Sequence, residues 1–295
     1  MTAADRIVGR RCETSTAAID SAVTELVEEC APALDDDRVL VVPDAHYPFH
    51  ASTGAVTNPD AVEVLIETLA SRGTDVALWL PPTPWVEGTD CARYLGYEGV
   101  ADRTGVETVD PADAETVERT VHPGERTVEV DLPAPLVEES VGVVPTLRTD
   151  PDRPLAAALV TTALGALGDP SADEIVAAAA AVDPAFVLLD GTYTYTGDPH
   201  RSRFLIAGRS AAAVDRAAAP LVGLAPGDVD YLAPFGVGRE AVEGLDVSAV
   251  AAALPNESPE AGMEAGGGPA AVGYRLYARV TGDLVPPQFL GDDGD

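Results

Sequence analysis

The sequence predicts an α/β protein, a mainly parallel sheet or sheets with flanking helices, and three observations predict it. Runs such as Val39-Leu40-Val41-Val42 are apolar throughout rather than alternating, as strands covered on both faces are. Segments with apolar residues at helical spacing separate these runs. Strand, loop, helix and strand then follow one another in the order of a crossover unit, which is right-handed and makes neighbouring strands parallel.

Taken in order, Thr14–Leu34 carries Ile19, Val23, Leu26 and Val27 at helical spacing and ends at Asp35-Asp36-Asp37. The strand Val39–Val42 follows. Asn58 is placed to cap a second helix with Pro59 at its first position, Val62, Leu65, Ile66 and Leu69 as its inner stripe, and Gly73 at its end. Val76–Leu80 is the next strand, stopped by the Pro81-Pro82-Thr83-Pro84 turn. Val106–Pro133 reads as short strands and a hairpin. The pattern resumes with strand Val141–Val144, helices Leu155–Leu167 and Ala172–Val182, strands Ala185–Leu189 and Arg203–Ala207, and helix Ala211–Leu221. Residues 255–269 are rich in Pro, Glu and Gly and read as a surface loop, before a last strand within 270–282. Residues 1–295 thus read as a single α/β domain, with a division into two close lobes in the middle stretch left open.

At 295 residues and 46% apolar content the chain can bury a large core. It holds 49 Asp and Glu against 18 cations, a formal charge of −31, and every one of those cations is arginine. Self-repulsion acts over a Debye length of roughly 8 Å in ordinary salt and about 3 Å in molar salt, so this acidic composition suits a halophilic, haloarchaeal-type cytoplasm. Scattered arginines on so acidic a chain argue against nucleic acid as a partner.

Without lysine there is no Schiff-base chemistry, and pyridoxal phosphate is excluded as a cofactor. No G-x-x-x-x-G-K phosphate loop occurs, no G-x-S-x-G elbow, and no dinucleotide fingerprint after the first strand. Gly266-Gly267-Gly268 is followed by Pro269 and a strand, where a phosphate cradle needs a helix. Cys12, Cys30 and Cys91 are too far apart for an iron–sulfur cluster in this chain and read as reduced thiols. Arg10-Arg11 lacks the apolar run of an export signal, and no segment approaches the roughly 20 apolar residues of a membrane span, so the expected location is the cytoplasm, with no membrane partner.

Ligands of parallel sheets bind beyond the carboxyl ends of the strands, so three loops hold the candidates. The first, Pro43–Thr57, contains Asp44, His46 and His50. These residue types can form a metal site, an acid–base pair with His46 as the catalytic group, or a hydrogen-bonded loop. In the second, Val144–Asp150, Arg148 can hold an anionic substrate through its bidentate fork or pair with Asp150 or Asp152. The third, Asp190–Arg203, begins with Asp190-Gly191, either a carboxylate facing a ligand as a catalytic acid or base, or an ordinary turn. Asp215, in a helix of small residues, is a further catalytic candidate.

Three segments carry a family resemblance: Val39–Pro43 leading to Thr57-Asn58-Pro59, Val144–Thr149, and Leu188–Gly191 leading to Leu205–Gly208 and Ala213-Val214-Asp215. In this order they resemble the family called domain of unknown function 362, over about Thr14–Gly238. The matching residues Thr57, Asn58 and Gly191 are then expected in substrate binding, with Asp190 and Asp215 in catalysis. The family often accompanies or contains ferredoxin-like iron–sulfur modules, which implies a redox or metal-linked partner. Where the family commonly has lysine, asparagine, a second basic residue and histidine, this chain has Val42-Pro43-Asp44, Thr146, Arg148, Asp150, Gly165 and Ala166, which makes it a divergent member. Two functional expectations follow: an enzyme acting on a small anionic metabolite, or a catalytically degenerate binding or accessory protein linked to iron–sulfur or metal-dependent redox systems.

Overall fold

A computed structural model describes residues 6–30, 38–83, 88–122, 127–150 and 152–255. Asp35-Asp36-Asp37, nearly all of the 255–269 loop with its glycine run, and the 270–282 strand lie outside the described residues.

Strand β1 (Val8–Arg11) leads into helix α1 (Thr16–Cys30), and β2 (Arg38–Pro43) leads through a loop into α2 (Pro59–Ser71). Asn58 caps α2 as its sequence suggests, its side chain accepting from the Asp60 N–H with Pro59 at the first turn. Then come β3 (Asp75–Trp79), α3 (Gly88–Leu95), α4 (Tyr97–Thr104) and β4 (Glu107–Val109). The hairpin β5–β6 (Thr116–Val121, Val128–Pro133) is antiparallel, with Thr116 opposite Pro133 and Val121 opposite Val128. After α5 (Ala134–Glu138) the chain re-enters the main sheet as β7 (Ser140–Val144) and β8 (Thr146–Arg148), followed by α6 (Ala158–Leu167) and α7 (Ala172–Val182). The described residues continue with β9 (Phe186–Tyr195), β10 (Pro199–His200), β11 (Phe204–Gly208), α8 (Ala211–Ala218) and α9 (Val247–Ala251).

Among the described residues the main sheet has nine strands in the order β1-β11-β9-β7-β2-β3-β4, with β8 and β10 both pairing β9. From β9 through β7, β2 and β3 to β4 every pairing is parallel; β1 and β11 add an antiparallel edge. Side chains bury on both faces, which is why the central strands read as unbroken apolar runs. One face packs on α1, α2, α3 and α4 through Ile19, Leu26, Leu65 and Val100. The other packs on α6, α7 and α8 through Leu159, Ile175 and Val214.

One expectation needs correction. The strand written as Ala185–Leu189 continues to Tyr195, so Asp190-Gly191 is strand rather than the start of a loop. Gly191 lies opposite Phe204, whose ring stands 2.2 Å from where a Cβ would be. The glycine leaves room for that aromatic ring, and β9 stays paired through the position a turn would otherwise have taken.

From β2 the chain winds outward to β3 and β4, then returns to β7 on the opposite side of β2. That reversal places the switch point of the sheet between β2 and β7, the position at which open parallel sheets bind ligands. Residues 44–57 leave one side of it, and Pro145–Asp150 leaves the other.

Candidate functional site

The loop after β2 is held from three sides. Asp44 N–H donates to Val144 O at 3.1 Å and to Thr57 Oγ1 at 3.0 Å, while Thr57 Oγ1 itself donates to Val144 O. Gly54 adopts φ +72°, and a Cβ there would lie 2.2 Å from the Thr194 carbonyl carbon, so the loop rests directly on the backbone of β9. Thr146 Oγ1 lies 3.2 Å from Gly54 O and 3.3 Å from Asp190 O. Tyr97, from α4, donates its hydroxyl to Thr57 O at 3.0 Å.

This packing brings Asp44, His46 and Arg148 into one buried cluster. Asp44 Oδ1 is 2.8 Å from His46 Nδ1, and Asp44 Oδ2 accepts from Arg148 Nε at 3.3 Å and from Thr161 Oγ1 of α6 at 3.4 Å. Arg148 Nη1 donates to Asp150 at 2.6 Å, and the guanidinium carbon stands 5.4 Å from the centre of the Tyr47 ring, which stacks in turn on Phe49. Asp44, His46 and Arg148 are 0%, 1% and 3% exposed. Burial by itself would raise the Asp44 carboxyl, but the Arg148 charge and the His46 hydrogen bond outweigh it and hold that carboxyl below its ordinary 3.8. Burial likewise works against the Arg148 charge, and Asp44 and Asp150 more than offset it.

Two polar atoms of this cluster, His46 Nε2 and Arg148 Nη2, are buried without a hydrogen-bond partner. Buried polar groups in native proteins are nearly always paired, and each unpaired one costs about 1–3 kcal/mol. With Nδ1 engaged by a carboxylate, a neutral imidazole carries its hydrogen on Nδ1 and presents the Nε2 lone pair. That is the arrangement of a general base.

The other expected residues are engaged elsewhere. Asp190, on β9, accepts from Asn58 N–H at 2.8 Å, from Thr192 N–H at 2.8 Å and from Thr192 Oγ1 at 2.7 Å, pinning the start of α2 to the sheet. Burial raises its carboxyl above 3.8 despite those hydrogen bonds. Asp215, on α8, accepts from Ala158 N–H at 2.8 Å and Leu159 N–H at 2.9 Å, and so caps α6, whose own leading residue Ala157 has no capping side chain. Burial pushes its carboxyl up to about 7. Thr57 and Asn58 hold the loop ahead of α2 through their hydrogen bonds, and Gly191 makes room for Phe204, as described above.

Two expectations are corrected here. His46, His50 and Asp44 do not come together as a metal site: among the described residues no three His, Cys, Asp or Glu side chains are grouped to hold an ion. His50 instead caps a short 3-10 turn, its Nδ1 accepting from Ser52 N–H and lying 2.8 Å from Ser52 Oγ, and the cation beside Asp44 is Arg148 itself. Nor is Arg148 an open anion fork, because Asp44 and Asp150 already take Nε and Nη1, leaving only Nη2. Pairing with Asp150 was legible from their spacing; Asp44, 104 positions away, was not. Sequence reasoning also passed over Tyr47 and Thr161, whose only signal is their place beside a polar loop and inside an apolar helix.

A family model described as Domain of unknown function (DUF362) matches residues 39–220, from β2 past the end of α8. Among solved structures, the chain is similar to a Thermotoga maritima protein determined as a structural-genomics target, at 13% identity and a TM-score of 0.36. The match covers 59% of this chain and half, 50%, of that one. No curated protein matches the chain. Among the described residues, no helix is long and apolar enough to cross a membrane.

Proposed function

The chain belongs to the domain of unknown function 362 family, and on that premise we propose that it is an enzyme that binds a small polar metabolite at the ends of β2, β7 and β8 and moves a proton through His46. The observation that carries this reading is the buried, unpartnered His46 Nε2, set on the residue whose other ring nitrogen is 2.8 Å from Asp44. Asp44 fixes the tautomer and would stabilise the imidazolium formed when Nε2 takes a proton. Arg148, held on the same carboxylate, offers Nη2 to an oxygen of the ligand. A ligand meeting both atoms would relieve two unpaired groups at once, which favours binding by about 1–3 kcal/mol for each. The location agrees with the general rule for open parallel sheets, where ligands sit at the switch point.

A second reading, a binding or accessory member that performs no turnover beside a redox or ferredoxin-like partner, is favoured by a different observation. Asp190 and Asp215, the two carboxylates expected to share in catalysis, are engaged by backbone N–H groups. The two readings separate in heavy water. Incubated in concentrated KCl made with D₂O, the enzyme should introduce deuterium into at least one member of a mixture of small carbonyl metabolites, and folded His46→Gln should not. Absence of exchange in both, with a ligand still bound, would leave the accessory reading.

A further inference from the structure

The charges already in the cluster restrict what can bind there. Asp44 and Asp150 both lie on the Arg148 guanidinium, at 3.3 and 2.6 Å, so two carboxylates face one cation. The neighbouring groups do not redress the excess. Tyr47 and Tyr97 have hydroxyls raised by burial, and the Cys91 thiol, which donates to Ala45 O beside the cluster, is raised by burial to about 12. All three stay uncharged at neutral pH. Asp190 adds a further carboxylate close to Tyr97, while Arg153 is paired outward with Asp169.

A third carboxylate or a phosphate arriving at Arg148 Nη2 would therefore meet like charge in a dry setting, where an uncompensated charge is most costly. The unpaired atoms themselves ask for something else. Nη2 needs an acceptor, and Nε2, as the lone pair of the general base proposed above, needs a donor. An amide edge presents a carbonyl oxygen and an N–H side by side and adds no charge. His46 Nδ1 and Arg148 Nε sit on the two oxygens of one carboxylate, so the two unpaired atoms belong to side chains of one cluster.

We propose that the site selects an uncharged ligand with an adjacent hydrogen-bond acceptor and donor, a carboxamide or lactam, over the carboxylate of the same shape. This rests on the ligand site described under the proposed function, and it replaces the anionic metabolite expected from the sequence. Buried polar groups discriminate strongly in this way, since a ligand of the wrong polarity leaves them unpaired or opposed.

The test uses the unaltered protein with two matched pairs, acetamide with acetate and benzamide with benzoate, at pH 8 and constant KCl. Binding is read from the ¹⁵N resonance of the His46 ring, assigned by its loss in His46→Gln. The amides should shift that resonance and bind about tenfold or more tightly than their carboxylates. Carboxylates that shift it equally well or better would show that the site supplies a proton to an anion, and would overturn the charge selection while leaving the ligand site standing. If neither class moves the His46 resonance, both the selection and the site are overturned.

Discussion

Arg148 Nε stands 3.3 Å from Asp44 Oδ2, joining two residues 104 positions apart across the switch point of the sheet. Because both are almost wholly buried, removing Asp44 leaves Arg148 with Asp150 alone and strands His46 Nδ1. Asp44→Ala should therefore cost about 3–5 kcal/mol. Urea unfolding in concentrated KCl measures it, and a cost below about 1 kcal/mol would mean that Arg148 reaches water without its partner.

Phe204 fills the space that Gly191 leaves open on β9, with its ring 2.2 Å from the missing Cβ position. Gly191→Ala should destabilise by about 1–3 kcal/mol through overpacking. In a Phe204→Ala background the same substitution should cost almost nothing, and that coupling is what a double-mutant cycle measures. Equal costs in both backgrounds would place the need for glycine elsewhere.

Asp44 and Asp215 make opposite demands on pH. The Asp44 carboxyl lies below its ordinary 3.8 in the folded state, so its stabilisation is complete above that value and fades as pH falls through the lower, folded one. The Asp215 carboxyl is raised from 3.8 to about 7, so its contribution is complete below pH 3.8 and is lost as pH rises through about 7. Asp215→Asn should flatten the decline of stability between those limits without touching the acid limb. Unfolding free energies across this range, for both proteins, check the sign.

How much of this could be read from the chain depends on the range of the interaction. The β2–α2 unit was legible because Asn58-Pro59 and the apolar run of β2 are local signals. The length of β9 was not, because the continuation of the strand through Gly191 depends on Phe204 across the sheet. Strand β1 and helices α3 and α4 were also missed: β1 is short and carries Arg10 and Arg11, and the two helices are short and polar, packing by Cys91, Ala92, Leu95 and Tyr97. In the site, His46 and Arg148 were found as residue types at strand ends. Asp44 was legible beside His46, two residues away, but its bond to Arg148 and the capping tasks of Asp190 and Asp215 depend on contacts between distant segments, which spacing does not encode.

The formal charge of −31 should make stability depend on salt. Raising KCl from about 0.1 M to about 1 M shortens the Debye length from ~10 Å to ~3 Å and suppresses self-repulsion, so the thermal midpoint should climb steadily over that interval. A midpoint that is flat or falls with KCl would show that the surface carboxylates are neutralised by their arginine partners alone.

The central claim is that the cluster of Asp44, His46 and Arg148 binds a small molecule. Native mass spectrometry of the protein, isolated in concentrated KCl and exchanged rapidly into volatile salt, reads this directly when set against the denatured mass. A single small-molecule excess on the wild-type chain, missing from folded His46→Gln and Arg148→Lys, is the result predicted. A ligand that stays bound to both variants, or a wild-type chain that carries none and takes up neither benzamide nor benzoate, would contradict it.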